Sequence, residues 1–422
     1  MIKSTIFLNK NYYVYGLGRT GLGAIKALTA SGAHVYAWDD SSPKGLTDCQ
    51  LLSPEEMNWD MDFQIVLSPG IPLSHRIVTL ANKHGKEVIA DIDLLYLANP
   101  NSKFLGITGT NGKSTTTALI GHILQTNNID ADVGGNIGIS VLDLNPNKEW
   151  YVLELSSYQL ELIKYAKMDI AIMLNITPDH LERHGTMQNY ISAKQRIFSN
   201  NTLAIVSQDS EPTRSIKADI KISGQTKADI SCINAILHDQ VDYDLNGKKI
   251  LAGSHNDENI AASYAATMQI IKDPLKVIAA ICSFKGLKHR MQLVTQRNGV
   301  KFVNDSKATN ADAAEKALKT YDNIYWILGG QAKSDGIDSL VPYFYKVNKA
   351  FLIGAASDSF AKVLASNNCP YEIVGTLENA IKSINSLGLT SGVVLLSPAC
   401  ASWDQFRDFE HRGDLFCELV AK

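Results

Sequence analysis

Residues 103–120 read KFLGITGTNGKSTTTALI, a short apolar run, a loop with glycines at 106, 109 and 112, then Lys113 and Ser114 at the head of a helix-forming stretch. Gly109 and Gly112 permit a loop whose amides converge on phosphate oxygens. Lys113 supplies a point charge for the β and γ phosphates, and Ser114 offers a hydroxyl to Mg²⁺. Gly109, Thr110, Asn111, Gly112, Lys113, Ser114 and Thr115 are therefore the expected ATP-binding residues. The spacing departs from the common G-x-x-x-x-G-K-[ST] pattern, with Ile107 where the first glycine would stand. The strand, loop and helix setting survives and predicts a parallel α/β sheet around this segment. A nucleoside triphosphate brings a metal, and the metal needs ligands at the ends of neighbouring strands. Glu154 closes the apolar run WYVLE, and Asp179 and His180 follow MDIAIMLNI.

A second glycine loop lies nearer the start. Val14 to Leu28 read VYGLGRTGLGAIKAL, with Gly16, Gly18 and Gly21 in G-x-G-x-x-G spacing between a predicted strand and a predicted helix. Asp39 ends the next strand, HVYAW, where a carboxylate can accept from a ribose hydroxyl. From the residues alone this loop suits a dinucleotide, another pyrophosphate-linked ribose, or a tight turn with no ligand. The apolar runs YYVYG, HVYAW, FQIVLSPG and EVIAD alternate with helical stretches, the rhythm of a doubly wound sheet. That topology would bring Gly16, Asp39 and Ser68 to Gly70 to one edge. After LANPNS (97–102), the run KFLGIT opens a second α/β segment. From 299 onward GVKFVND, NIYWILGG, KAFLIGA, YEIVG and GVVLLSP predict a third. Three domains in series are expected, 1–96, 97–287 and 288–422: Rossmann-like, P-loop ATPase and Rossmann-like.

With 422 residues, the chain is too long for a single core. Its 45% hydrophobic and 20% charged content is that of a globular protein, and a net charge of −3 gives no basic field for nucleic acid or an acidic membrane. Six scattered cysteines without a C-x-x-C pair argue against a disulfide scaffold or a structural zinc and fit a reducing cytoplasm. No apolar run reaches the roughly 20 residues that span a bilayer. A cytoplasmic enzyme with no nucleic-acid or membrane partner, and a monomer, is expected.

Beyond TGTNGKST, the segments GGNIG (134–138), ELSSYQLE (154–161), NITPDHLERHG (175–185), NYISAKQRIF (189–198) and GSHNDENIAA (253–262) resemble the ATP-dependent Mur ligases of peptidoglycan synthesis along the entire chain. NDSKATN (304–310) and LLSPACASWDQFRDFEHRGD (395–414) resemble the D-glutamate-adding branch. The resemblance implies ligation of D-glutamate to UDP-N-acetylmuramoyl-L-alanine through an acyl phosphate, at the expense of ATP. It implies two Mg²⁺ ions, one held by Ser114 and Glu154, the other by Glu154, His180 and a carbamylated Lys194. Without it, Lys194 reads as a solvated helix charge. Lys113, His180 and Lys194 become the catalytic set. Asn256 and Asn259 resemble adenine contacts, and Arg290 and Asp305 resemble contacts to the phosphate and ribose of ATP.

The first glycine loop is then implied to hold uridine diphosphate, through Gly18, Arg19, Thr20, Asp39, Ser68, Pro69 and Gly70, with Asn136 from GGNIG. Where the family often has Thr-Arg after the aspartate, this chain has Asp40 and Ser41, which removes a phosphate cation that Arg19 would replace. Thr309, Lys333, Ser402, Trp403 and Phe409 are implied to bind D-glutamate, with a helix beginning near Trp403 aiming its N-terminus at a carboxylate. A sibling ligase, a nicotinamide dehydrogenase with an accessory NTPase domain, and a non-catalytic nucleotide switch are the competing readings.

Overall fold

The run NYYVY forms the central strand of the first sheet because Tyr12 to Tyr15 are apolar enough to be buried on both faces, as parallel strands covered by helices require. A computed structural model describes residues 1–41, 46–136, 140–233, 235–245, 255–332 and 336–421. The strands of this sheet are β1 (Asn11–Tyr15), β2 (His34–Trp38), β3 (Gln50–Leu51), β4 (Gln64–Leu67) and β5 (Glu87–Ile89), in the order β3-β2-β1-β4-β5 and all parallel. Helices α1 (Arg19–Ala30), α2 (Arg76–Lys83) and α3 (Asp91–Ala98) accompany them. The order reverses at β1, so the loops after β1 and β4 meet at the carboxyl edge. Ser68 Oγ donates to the Gly16 carbonyl at 2.7 Å there.

The second sheet has nine strands: β6 (Lys103–Thr108), β7 (Ala131–Gly135), β8 (Trp150–Glu154), β9 (Ile170–Met173), β10 (Leu203–Ser207), β11 (Ile220–Ser223), β12 (Ile230–Ile233), β13 (Ala235–His238) and β14 (Val241–Asp244). Their order is β14-β13-β12-β11-β10-β9-β6-β8-β7, parallel except for the β12-β13-β14 meander. Among the described residues the α-helices that go with it are α4 (Lys113–Thr126), α5 (Ser157–Leu162), α6 (Leu181–His184), α7 (Met187–Gln195), α8 (Glu211–Arg214), α9 (His255–Ile271) and α10 (Pro274–Ser283). Because β6 lies between β8 and β9, the loops that follow these three strands converge.

Residues 1–284 make one compact unit, in which a continuous apolar cluster from Ile2 to Ile216 fills the first sheet and packs against one face of the second. Inside it the fully buried Asp93 ties α3 to a loop of the central segment. Its carboxylate accepts from the backbone N–H of Ala90 (3.0 Å), Lys164 (3.0 Å), Tyr165 (2.8 Å) and Ala166 (2.8 Å). Four donors on one carboxylate replace the water it gave up.

Residues 285–422 make the second unit. Its sheet comprises β15 (Gln292–Arg297), β16 (Val300–Asn304), β17 (Ile324–Gly329), β18 (Val347–Ile353), β19 (Tyr371–Gly375) and β20 (Gly392–Leu396), in the order β15-β16-β20-β17-β18-β19 with only β15 antiparallel. Helices α11 (Ala311–Thr320), α12 (Ser357–Ser366), α13 (Leu377–Ser386) and α14 (Phe409–Ala421) belong to it, with an apolar cluster on each face.

One expectation is corrected here. The helix expected near Trp403 begins at Phe409, and Trp403 is 73% exposed on a run of turns. The side chains of that run are engaged elsewhere: Asp404 Oδ2 accepts from Ala355 N at 2.9 Å, and Gln405 Nε2 donates to the Gly375 carbonyl at 2.9 Å. Asp408 then caps the helix through His411 N at 2.7 Å.

Candidate active site

The loop from 109 to 112 owes its shape to its glycines and to residues far away in sequence. Gly109 (φ +145°) and Gly112 (φ +86°) sit where a side chain is strained. A Cβ on Gly112 would also lie 2.2 Å from Asn259 Oδ1. Thr110 N donates to the Asn175 carbonyl (2.8 Å) and Asn111 N to Asn175 Oδ1 (3.0 Å), while Thr110 Oγ1 lies 3.1 Å from Tyr190 Oη. The loop is thus braced before any phosphate arrives. Ser114 and Thr115 are buried in the first turn of α4, whose N-terminus faces the loop.

Lys113 Nζ donates to the carbonyls of Gly109 and Thr110, both at 2.8 Å, and Lys194 Nζ, from α7, donates to the same Gly109 carbonyl at 2.8 Å. Two amines therefore meet one oxygen. Lys194 is 2% exposed, with its Nζ 4.7 Å from the Tyr190 ring centroid. Burial, and then the nearby Lys113 charge, push its pKa down to about 6 against the pull of Asp179 and Glu154. Glu154, at the end of β8, is buried. Its Oε1 accepts from Asn136 Nδ2 at 3.1 Å, and its Oε2 has no hydrogen-bond partner. Asn136 is thereby placed against Glu154. The last two residues of GGNIG, 137 and 138, lie outside the described residues.

His180 heads α6 in a left-handed conformation (φ 53°), stacked obliquely on Tyr158 at 4.9 Å, with Asp179 and Glu182 within 3.5 Å and 3.4 Å of its ring nitrogens. Asn256 and Asn259 are buried on α9. Asn259 Oδ1 accepts from Thr116 at 3.2 Å and its Nδ2 donates to Asn256 Oδ1 at 2.9 Å, so this pair props the phosphate loop as it stands.

In the first sheet, a Cβ on Gly21 would lie 2.0 Å from the Gly16 carbonyl, whereas nothing stands within 4 Å of one on Gly18. The loop is tight at one glycine and open at another. Gly18 caps α1, placing Arg19 and Thr20 in its first turn. Asp39 accepts from Leu17 N at 2.7 Å and from Ser41 N at 2.9 Å, which hold its carboxyl below the usual range. Asp40 is bound by Tyr15 Oη (2.6 Å) and His75 Nε2 (2.9 Å). Arg183, which sequence reasoning passed over, reaches from α6 to the loop after β4, donating to the carbonyls of Gly70 (3.3 Å) and Ile71 (3.1 Å), with its guanidinium 4.5 Å from the Tyr158 ring centroid. Ser68, Pro69 and Gly70 are so joined to the His180 segment.

In the unit 285–422, Asp305 is buried and accepts from Met291 N (3.0 Å) and Ser397 Oγ (2.8 Å), with burial pushing its pKa up to about 6. Its carboxyl is turned inward. Arg290 is half-buried on the preceding loop. Thr309 precedes the Asn310 cap of α11, Ser402 is buried, and half-buried Phe409 carries Lys307 Nζ 5.4 Å from its ring centroid. Lys333 lies outside the described residues.

Comparison with known proteins gives the chain's family. The family model for the Mur ligase middle domain matches residues 107–267, and that for the Mur ligase glutamate ligase domain matches residues 289–400. A UDP-N-acetylmuramoylalanine--D-glutamate ligase of Rhodospirillum rubrum is 44% identical over 97% of this chain and 94% of its own length. One of the same name from Wolbachia pipientis wMel is 39% identical over 98% and 96%. The chain belongs to the Mur ligase family.

Among solved structures, the UDP-N-acetylmuramate-alanine ligase of Thermotoga maritima superposes with TM-score 0.64 at 18% identity, covering 98% of this chain and 99% of that one. A second Mur ligase of T. maritima, solved in complex with ADP, gives 0.60 at 18%, covering 99% and 97%. The three-sheet architecture is thus that of Mur ligases.

Whether this Mur ligase suits Mg²⁺ is tested by its donors. Among the described residues no three His, Cys, Asp or Glu side chains converge as a cage. Mg²⁺ needs none, since it keeps waters and takes one or two carboxylates plus phosphate oxygens. The orphaned Glu154 Oε2 and the α4 hydroxyl of Ser114 are donors of that kind, so the residues fit. Among the described residues no helix is long and apolar enough to cross a membrane.

Proposed function

We propose that this Mur ligase joins D-glutamate to the L-alanyl carboxylate of UDP-N-acetylmuramoyl-L-alanine, spending ATP and releasing ADP and phosphate, in peptidoglycan precursor synthesis. The observation that carries this reading is the full-length similarity, 38–44% identity, to relatives named UDP-N-acetylmuramoylalanine--D-glutamate ligase. A carboxylate is a poor electrophile, so its oxygen first attacks the γ phosphorus and ADP leaves. The neutral amine of D-glutamate then adds to the acyl carbon, loses a proton, and phosphate departs.

In this scheme Lys113 and the 109–115 amides hold the β and γ phosphates. Ser114 and Glu154 would hold one Mg²⁺, and Glu154, His180 and Lys194, once carbamylated, a second. The metal supplies charge neutralisation at the phosphoryl group. Asn256 and Asn259 support the nucleotide end of the loop. Gly18, Arg19, Thr20, Asp39, Ser68, Pro69, Gly70 and Asn136 are assigned to the uridine diphosphate substrate, and Thr309, Lys333, Ser402, Trp403 and Phe409 to D-glutamate. The segments 1–96, 97–287 and 288–422 are assigned to UDP-substrate, ATP and amino acid respectively, and a cytoplasmic monomer is the proposed working form.

Phosphate release by the purified chain with Mg²⁺, ATP and UDP-N-acetylmuramoyl-L-alanine, with and without D-glutamate, tests the reading. Release that depends on D-glutamate, and on none of L-alanine, glycine or a diamino acid, is expected. Release indifferent to the amino acid would sink it. A narrower test concerns the missing phosphate cation after Asp39. Arg19→Ala is expected to raise the Michaelis constant for the uridine substrate about tenfold, the value of one charge-assisted contact. An unchanged constant would remove Arg19 from that site.

A further inference from the structure

Arg412 on α14 has no exposed surface, and among the described residues its guanidinium hydrogen-bonds only to neutral groups. Its Nε donates to Ser306 Oγ at 3.0 Å, and its Nη2 to the carbonyls of Ser306 (2.9 Å) and Cys400 (3.1 Å). Among the described residues Nη1 is buried with no acceptor. A Cβ on Gly330 would lie 3.3 Å from Nη1, so that nitrogen faces the turn after β17. Asp404 influences the guanidinium only from a distance, and its Oδ2 already accepts from Ala355 N at 2.9 Å. Burial lowers the guanidinium pKa to about 10, which leaves it protonated at neutral pH.

The three segments that meet this cation follow β16, β17 and β20, which are neighbours in the parallel sheet. They are its carboxyl-edge loops, where open α/β sheets bind ligands. The loops after β17 and β20 are zipped together, Gln331 N donating to the Ala401 carbonyl at 2.9 Å and Ala401 N returning to the Gln331 carbonyl at 3.1 Å. Gly330 and the backbone carbonyls of Ser306 and Cys400 lie against the guanidinium. A buried charge without a counter-ion is costly, and an apolar residue of like size could fill the same space at lower cost. A bound anion over these loops would supply the counter-ion.

We infer that Arg412 is a specificity-determining positioning residue, whose charge behind the loops after β16, β17 and β20 favours an incoming amino acid with a second carboxylate. It acts through Ser306 and the backbone at Cys400, without touching the substrate. The inference rests on the proposed function, which puts the amino acid at these loops.

The test compares Arg412→Met, which removes the charge and keeps the bulk, with Arg412→Lys, which keeps the charge and loses the fork. Steady-state kinetics are run with D-glutamate and with D-glutamine, its neutral-side-chain counterpart. For Arg412→Met, the D-glutamate Michaelis constant is expected to rise about 10- to 100-fold and the preference over D-glutamine to shrink about tenfold or more, while the constants for ATP and the uridine substrate stay within about threefold. Arg412→Lys should retain most of the preference. Equal loss in both variants, or an unaltered preference in Arg412→Met, would overturn the inference. If Arg412→Met does not fold, Arg412→Gln takes its place. If neither uncharged variant folds, the guanidinium is a structural brace and the inference falls. Should the parent chain not use D-glutamate at all, the proposed function fails first, independently of Arg412.

Discussion

Lys194→Ala is expected to lower ligase activity by about 10³-fold or more, with added bicarbonate restoring none of it. An ordinary lysine is an ammonium at neutral pH and cannot react with carbon dioxide. Lys194 differs because α7 buries it against Tyr190 and Lys113 shares its hydrogen-bond acceptor, the Gly109 carbonyl. With a pKa of about 6, the neutral amine predominates at pH 7. It can add to carbon dioxide and release a proton, which turns a cation into an oxygen-bearing anion suited to Mg²⁺. Isotope-labelled carbon dioxide should therefore give a carbamate carbon signal in the parent chain and none in Lys194→Ala or Lys194→Arg. Full activity of Lys194→Ala would refute the role.

The same pKa makes a separable statement about stability. In carbon-dioxide-depleted buffer the folded chain binds fewer protons than the unfolded one from pH about 6 up to the ordinary lysine value, 10.5. The penalty for burying Lys194 is therefore complete below pH 6 and fades as pH rises through that window. Lys194→Met should consequently unfold no more easily than the parent at pH 6 to 7, with any advantage shrinking toward pH 10. Thermal melts across that range check the sign. A variant that is inactive yet at least as stable separates chemistry from packing.

Lys194 is instructive, because its own surroundings do mark it as interior: Tyr190, Ile191, Ile197 and Phe198 lie three and four positions to either side of it, one helical stripe with Lys194 in the middle. The residue type, a lysine, is what reads as solvated. Its burial comes from Gly109, 85 residues away, and from Lys113 beside it. Asn175, Tyr190 and Arg183 escaped notice likewise, since each acts by a contact across the fold, as does Asn259 on Thr116, 143 residues apart. What the sequence displays well is anything a single local rule enforces. Gly109 and Gly112 stand where φ is positive, and the runs NYYVY, KFLGIT and WYVLE are apolar because their strands are covered on both faces. The short strands β10 to β14 were harder to see: four of the five have only four residues, and polar or exposed positions interrupt them. Trp403 shows the converse failure. A helix-compatible stretch is drawn out of helix because Asp404 and Gln405 bind neighbouring loops.

Glu154→Gln should divide binding of the metal from folding as cleanly as any substitution in this chain. The side chain lies at the end of β8 with Oε1 held by Asn136 and Oε2 buried without a donor. In the bare protein that oxygen is a liability, because a desolvated carboxylate lone pair goes unpaired. Glutamine has the same shape, can keep the carbonyl toward Asn136, and removes the buried charge. Its melting temperature is therefore expected to equal or exceed that of the parent. Activity is expected to fall about 10³-fold, since a neutral amide is a far poorer ligand for a hard cation. Ligand-linked stabilisation gives an independent readout. At MgATP about 100-fold above its dissociation constant, the parent should gain about 2.7 kcal/mol, and Glu154→Gln should lose most of the Mg²⁺-dependent part while responding normally to the uridine substrate. If Glu154→Gln works within about tenfold of the parent and still gains stability from MgATP, the orphaned oxygen is not a metal ligand. A large drop in melting temperature would instead show that the carboxylate serves the fold, through Asn136 and the strand edge it joins.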